Sequence, residues 1–207
     1  MNEYEKAVQA FKSAFTLLET QKRTESYEYT GALYYIGNCY EMMGEIDKAR
    51  EYYLKVPKDD QTGAYAGAKA RLNYPLSPAM INLTRGANYV KCKEYDKAGV
   101  IFNDLMQAEM KKAPSNNSFI ADLNFNIGRL EYEKKEYDKS IQTFLQVLSS
   151  NDIKQDWIKP WSHYYLGNCY MNTGEIEKAK KEYDMAYEYD GNATLRIWID
   201  KARSNMK

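Results

Sequence analysis

The chain has one histidine and three cysteines in 207 residues, and that scarcity removes most of the chemistry a protein of this length can carry. A lone imidazole, His163, without Cys, Asp and Ser companions supports neither a metal centre nor a nucleophile–base relay. Cys39, Cys92 and Cys169 cannot all pair within one chain and match no CxxC spacing. They read as small buried hydrophobes kept reduced. An excess of charge of one sign is also absent, because 29 Lys+Arg balance 29 Asp+Glu. Without an overall basic surplus to neutralise phosphates, nucleic acid is not the expected partner. No run reaches the roughly 18 apolar residues that span a bilayer. No basic region followed by an apolar core opens the chain, and no Gly-rich phosphate loop occurs. The expectation is a cytoplasmic protein with no catalytic residue, no metal and no cofactor, engaging neither membrane nor nucleic acid. Three Asn-x-Ser/Thr triplets, at Asn82, Asn116 and Asn192, read as coincidence for want of a signal segment.

What the sequence does have is a six-residue phrase, written five times. The copies run Asn2–Ala7 (Asn-Glu-Tyr-Glu-Lys-Ala), Gly44–Ala49, Lys93–Ala98, Lys135–Ser140 and Gly174–Ala179, and their last residues are 42, 49, 42 and 39 apart. Self-similarity at such a period means stacked units, each too small to bury its own apolar face. Every copy opens an amphipathic helix. After Ala7 the apolar residues are Val8, Phe11, Ala14, Phe15 and Leu18; after Ser140 they are Ile141, Phe144, Leu145 and Leu148. Spacing of three and four puts them on one stripe.

Four of the five phrases follow another helix. Two of these read almost alike, Tyr34-Tyr-Ile-Gly-Asn-Cys-Tyr40 and Tyr164-Tyr-Leu-Gly-Asn-Cys-Tyr170. A third is Asn124-Phe-Asn-Ile-Gly-Arg-Leu130, and a fourth, Asn82 to Tyr89, keeps only the Gly and the Tyr. A glycine inside a helix costs about 1 kcal/mol relative to alanine, a cost justified where another helix approaches the backbone closely. The pattern resembles the tetratricopeptide repeat, a helix–turn–helix unit with Leu-Gly-x-x-Tyr in its first helix and Ala-x-x-x-Phe in its second. Ile36-Gly37-x-x-Tyr40 with Ala49-x-x-x-Tyr53 fits, as does Leu166-Gly167-x-x-Tyr170 with Ala179-x-x-x-Tyr183. The copy at Gly86 has Arg85 for the apolar residue, the copy at Gly128 has Glu131 for the tyrosine, and the family tryptophan is missing throughout.

The resemblance implies an all-α chain, a right-handed α-α superhelical solenoid of helix pairs. It is expected as a single domain over 1–207. A half repeat covers 3–20, pairs cover 26–56, 78–112, 117–149 and 157–188, and a final helix covers 192–204. The longest interval accommodates an inserted short helix over 61–73, where alanines recur and Tyr74-Pro75 ends the run. Ser77-Pro78, Pro114-Ser115 and Asp190-Gly191-Asn192 mark breaks between helices. The half repeat is expected to expose an apolar side, covered either by preceding protein or by another chain. Leu195, Trp198, Ile199 and Ala202 form one stripe of the final helix, expected to cap the last pair.

The resemblance also implies a function, a scaffold that binds a peptide or protein segment. In this family the first helices line an inner face. Carried over, the partner-binding row is Tyr34 and Asn38, Leu83 and Ala87, Phe125 and Arg129, Tyr164 and Asn168, each an i, i+4 pair on one face. The asparagines suit a peptide backbone and the rings suit its side chains; alternatively, the asparagines bond between helices and the rings fill the interior. Tyrosine stands where carboxylate-gripping relatives carry lysine, and Arg129 is the sole cation of the row, so that clamp is not expected. The 20 tyrosines are an unusual number, and Tyr35, Tyr52, Tyr165, Tyr187 and Tyr189 exceed the repeat positions, which suggests an aromatic surface. Lys/Glu runs such as Glu131 to Lys139 read as solvated faces. The rival expectation is a regulatory or assembly module of a longer protein that acts through its ends, including self-association through the N-terminal half repeat.

Overall fold

The computed structural model describes residues 3–60, 62–189, 193–204 and 206. Among the described residues there are eleven α-helices and no strand, so the fold is all-α. The chain divides into two compact units, Met1–Thr84 and Arg85–Lys207. Unit 1 holds α1 (Glu3–Thr20), α2 (Tyr27–Met42), α3 (Ile46–Lys55), α4 (Ala64–Asn73) and the first half of α5 (Pro78–Lys91). Unit 2 holds the rest of α5, then α6 (Tyr95–Met110), α7 (Asn117–Glu133), α8 (Tyr137–Ser149), α9 (Ile158–Asn172), α10 (Ile176–Tyr187) and α11 (Ala193–Ser204). The expected break at Asp190-Gly191-Asn192 lies outside the described residues, as do Asn2 and Gln61.

Helix starts follow local chemistry. The side chains of Ser26, Ser77 and Asn116 accept from the backbone N–H groups of Tyr29, Met80 and Phe119, at 3.3, 3.2 and 3.2 Å. Each satisfies a donor that the first helical turn leaves open. Pro78 begins α5, where its missing N–H costs nothing.

The repeated phrase is a turn followed by a helix start. Its first residue is left-handed in four copies: Gly44 at φ 80°, Lys93 at 61°, Lys135 at 64° and Gly174 at 83°. The next N–H then reaches back five residues, Glu45 to the Tyr40 carbonyl at 2.9 Å and Glu175 to the Tyr170 carbonyl at 2.8 Å. That is the closing bond of a Schellman turn. The phrase glutamate pairs with the lysine three residues on, Glu136 with Lys139 at 2.8 Å and likewise Glu45–Lys48, Glu94–Lys97 and Glu175–Lys178. Exposed pairs of this kind contribute at most about 1 kcal/mol. The small residue that ends the phrase does more. Ala49, Ala98, Ser140 and Ala179 are buried, and the Ser140 hydroxyl, the one departure from alanine, donates to the Gly128 carbonyl at 2.8 Å.

Lysine at a left-handed position crowds its Cβ against the following carbonyl. Lys135→Gly is therefore expected to stabilise unit 2 by about 0.5 kcal/mol, the relieved strain outweighing the added freedom of the unfolded chain. Urea denaturation reads this as a higher midpoint; a lower one would show that the turn holds lysine without strain.

Helices joined by these turns meet through a glycine under an aromatic ring. A Cβ added at Gly37 would lie 2.5 Å from the Tyr53 ring, at Gly86 2.3 Å from Phe102, at Gly128 3.0 Å from Phe144 and at Gly167 2.7 Å from Tyr183. The glycines that break helix propensity are thus the ones that let each pair close. In unit 1 the core gathers Leu33, Ile36, Tyr53 and Val56, with Val8 from α1 and Ala64 and Ala68 from α4. Tyr4, Ala7, Phe11 and Phe15 of α1 pack against it. In unit 2 the core gathers Phe125, Phe144, Leu166, Tyr183, Leu195 and Ile199.

Candidate protein-binding surface

In unit 2, α9 packs against both α7 and α11. A cavity of about 380 Å³ opens among these helices and α10. Its floor is Tyr183 of α10, whose hydroxyl donates to Asn168 Oδ1 at 2.6 Å. Asn172, one turn further along α9, donates its amide to the Asn168 carbonyl at 2.8 Å. Tyr132 of α7 and Tyr164 of α9 contribute rings, and Met171 a flexible thioether. Trp198 and Lys201 of α11 complete the lining, and Trp198 is 50 % exposed. Burial pushes the phenols of Tyr132, Tyr164 and Tyr183 upward, so they stay neutral hydrogen-bonding groups at pH 7. Aromatic faces, side-chain amides and one cation make a lining suited to a peptide: rings for apolar side chains, amides for its backbone, lysine for an acidic group.

The expected row is distributed as follows. Tyr164 and Asn168 line the cavity, and both are buried. Phe125 is 3 % exposed, with Trp157, Phe144 and Tyr165 set edge-on around it at 5.1, 5.9 and 6.0 Å. The Arg129 guanidinium lies over Phe125 and Tyr165, and its Nε donates to the Tyr165 hydroxyl at 3.2 Å. Leu83 is buried and Ala87 half-buried. In unit 1, Asn38 Oδ1 and Glu41 Oε2 flank the Tyr53 hydroxyl at 2.7 and 2.8 Å. The buried Glu41 carboxylate also accepts from the Leu76 N–H at 3.1 Å and sits 3.5 Å from Arg71 Nε of α4. Gly67 of α4 rests on Tyr34, where a Cβ would come within 2.8 Å of the phenol. The inserted helix therefore occupies the side of α2 that carries Tyr34.

Several expectations change. Trp198 does not join Leu195 and Ile199 in the core; it stands on the flank of their stripe and faces the cavity. Cys39 and Cys169 are buried but Cys92 is exposed, because α5 ends beside it. Among the supernumerary tyrosines, Tyr35 stacks on Phe11, Tyr52 on Tyr40 and Tyr165 on Phe144, and Tyr187 lies under Arg196 and Arg203. Tyr35 is nevertheless 51 % exposed and Tyr189 37 % exposed, so these two also present rings at the surface. Glu131 is not a solvated charge: Thr143 donates to it at 2.7 Å, and burial pushes its carboxyl up. His163 Nδ1 lies 2.7 Å from Glu182 Oε2, an ordinary contact between α9 and α10. Tyr132, Met171, Asn172, Trp198 and Lys201 escape a reading of i, i+4 pairs alone. Extending the row by one more turn from Asn168 reaches Asn172, the one signal the sequence offered.

Among the described residues no group of three His, Cys, Asp or Glu is placed to hold a metal ion, and no helix is long and apolar enough to cross a membrane. Models of the tetratricopeptide repeat match residues 1–72, 121–153 and 160–193. Among solved structures, MamA AMB-1 in its P212121 form is similar over 90 % of this chain and 97 % of its own, at 17 % identity and a TM-score of 0.44. MamA RS-1, an ArsTM double mutant, is similar over 98 % of each chain, at 16 % identity and the same TM-score of 0.44. No curated protein matches the chain.

Proposed function

We propose, from the premise that this chain belongs to the tetratricopeptide-repeat family and is a protein-interaction scaffold, that unit 2 holds a peptide or protein segment in the cavity beside α9. The observation that carries the reading is the half-exposed Trp198, which faces Asn168 and Tyr164 across a cavity instead of closing the core. An aromatic anchor beside convergent amides is the composition that concentrates binding energy at protein interfaces. Lys201 gives the segment a preference for an acidic side chain near the anchor. In this reading the protein is not an enzyme. It works in the cytoplasm and takes neither nucleic acid nor membrane, in keeping with its balanced charge.

Affinity capture from the source cell, followed by mass spectrometry, tests this. Trp198→Ala with Lys201→Ala alters exposed side chains and leaves the core intact. It is expected to lower retention of the partner about 30-fold, the loss of about 2 kcal/mol that marks a hot spot. Leu54→Ala, an exposed change in unit 1, should retain it. Equal retention by all three proteins would remove the cavity from the function.

A further inference from the structure

The near-identical helices α2 and α9 meet different company. Counted from the phrase that follows each, Tyr34, Asn38 and Glu41 correspond to Tyr164, Asn168 and Met171. Spacings of four and three put each set on one helix face. In α9 all three residues line the open cavity. In α2 both ends of the same face meet α4: Gly67 lies on the Tyr34 ring, and Arg71 Nε stands 3.5 Å from Glu41 Oε2.

The inserted helix is held as a ligand is held. Ala64, Gly67, Ala68 and Arg71, at i, i+3, i+4 and i+7, form the stripe that faces α2 and α3. Ala64 and Ala68 are its buried residues, while Tyr65 and Leu72 are only half-buried. Small side chains bury little apolar area, so this contact holds the helix weakly. A cavity of about 50 Å³ also remains between α3 and α4, beside Glu41, Tyr53, Arg71 and Leu72. The stronger hold is polar and sits at the two ends. The Thr30 hydroxyl and the Tyr65 N–H both donate to the Asp60 carboxylate at 3.1 Å, and the Leu76 N–H donates to Glu41 Oε1 at 3.1 Å. A segment with few buried apolar contacts opens locally, ahead of the core beneath it.

We propose that α4 is a replaceable occupant of a binding face on α2, and that this face, once α4 leaves, takes a helical segment of a partner protein with a glycine at Tyr34 and a cation at Glu41. The geometry sets both requirements. A Cβ at Gly67 would come within 2.8 Å of the phenol, so a bulky residue cannot lie there. Glu41 is 2 % exposed and, without α4, would keep only the Tyr53 hydroxyl; a carboxylate so enclosed needs an opposite charge. Met171 stands at that place in α9, so the two faces select different segments. This face is in unit 1 and shares no residue with the cavity beside α9.

The full chain tests this. Hydrogen exchange read by mass spectrometry is expected to be about tenfold faster at residues 64–73 than in α2 and α3. Asp60→Ala removes the anchor before α4 and should speed 64–73 further, leaving α2 and α3 unchanged. The probe of the emptied face is a fluorescein-labelled peptide of residues 60–76. It is expected to bind the Gly67→Leu chain about tenfold more tightly than the parent, whose own α4 competes for the face. If Gly67→Leu fails to fold, Asp60→Ala takes its place in that comparison. Arg71→Glu in the peptide should abolish binding. Exchange of 64–73 no faster than α2, or no gain in peptide binding by either opened chain, would overturn the proposal and make α4 a fixed part of the core. Undiminished binding of the Arg71→Glu peptide would overturn the cation requirement. A dimer of the opened chain that the peptide does not dissolve would overturn the partner segment in favour of α4 exchanged between two copies. Trp198→Ala with Lys201→Ala should alter none of these readings, so failure here and failure of the cavity beside α9 are separate results.

Discussion

Phe144→Ala is expected to destabilise unit 2 by about 3–5 kcal/mol, the cost of deleting a fully buried aromatic side chain. The ring is 0 % exposed, stacks on Tyr165, meets Phe125 edge-on and lies against the Gly128 backbone. Three helices therefore lose their common contact. A fall in the urea midpoint without a change in slope would read this as lost stability alone. The informative control is Gly128→Ala. Alone, its Cβ would press on the Phe144 ring at 3.0 Å, and the cost of overpacking is about 1–3 kcal/mol. In the absence of the ring the same methyl enters empty space and gains about 1 kcal/mol of helix propensity. The double variant should thus be more stable than Phe144→Ala by itself. Additive costs would mean that glycine and ring do not share one space, and the pairing rule drawn from all four repeats would fail with them.

That pairing rule is also what made the fold legible. A helix that tolerates glycine four times, after a large apolar side chain in three of them and always a fixed distance before an Ala- or Ser-x-x-x-aromatic run, leaves little else for the glycine to do. The turn itself was not read from the phrase, although its first residue is glycine, lysine or asparagine in every copy and the described copies are left-handed there. Burial of charge was not legible. Glu41, Glu109 and Asp122 sit in segments that look solvated in sequence, yet each is under 5 % exposed. What buries Glu41 is α4 and the Leu76 backbone, 30 and 35 residues away along the chain. What anchors Glu109 is the Asn116 N–H, at 2.7 Å, together with Lys112. A helical stripe records which face a residue occupies and says nothing about whether a distant loop folds back over it. The candidate surface was half legible for a related reason. Tyr164 and Asn168 follow from spacing on one helix, whereas Trp198 and Lys201 reach the cavity only through the placement of α11 beside α9.

Of the buried carboxylates, Asp122 should give the largest pH-dependent effect. Its Oδ2 accepts from Gln155 Nε2 at 2.8 Å, a neutral amide in the link between α8 and α9, and burial raises its carboxyl to about 6. The sign follows from linkage. A carboxyl that holds its proton more tightly folded than unfolded favours folding at low pH. That contribution is lost as pH rises from about 4 towards 6, and above 6 the folded state carries a buried charge. The gap between about 6 and the unperturbed 3.8 corresponds to about 3 kcal/mol at pH 7 as an upper limit. Asp122→Asn keeps the shape and removes the charge, and Gln155 can turn to offer either its oxygen or its amide. The variant is expected to be about 1–3 kcal/mol more stable than the parent at pH 7. The difference should shrink towards zero near pH 4. Asp60 works in the opposite sense: despite some desolvation, hydrogen bonds from Thr62, Tyr65 and Thr30 hold its carboxyl at about 2, so its contribution is lost only as pH falls from about 4 to about 2. Comparing parent and variant at each pH cancels that group and every other. A stability difference that stays constant from pH 4 to pH 7 would show that Asp122 ionises in unit 2 as it does in water, and that the link to α9 costs the fold no buried charge.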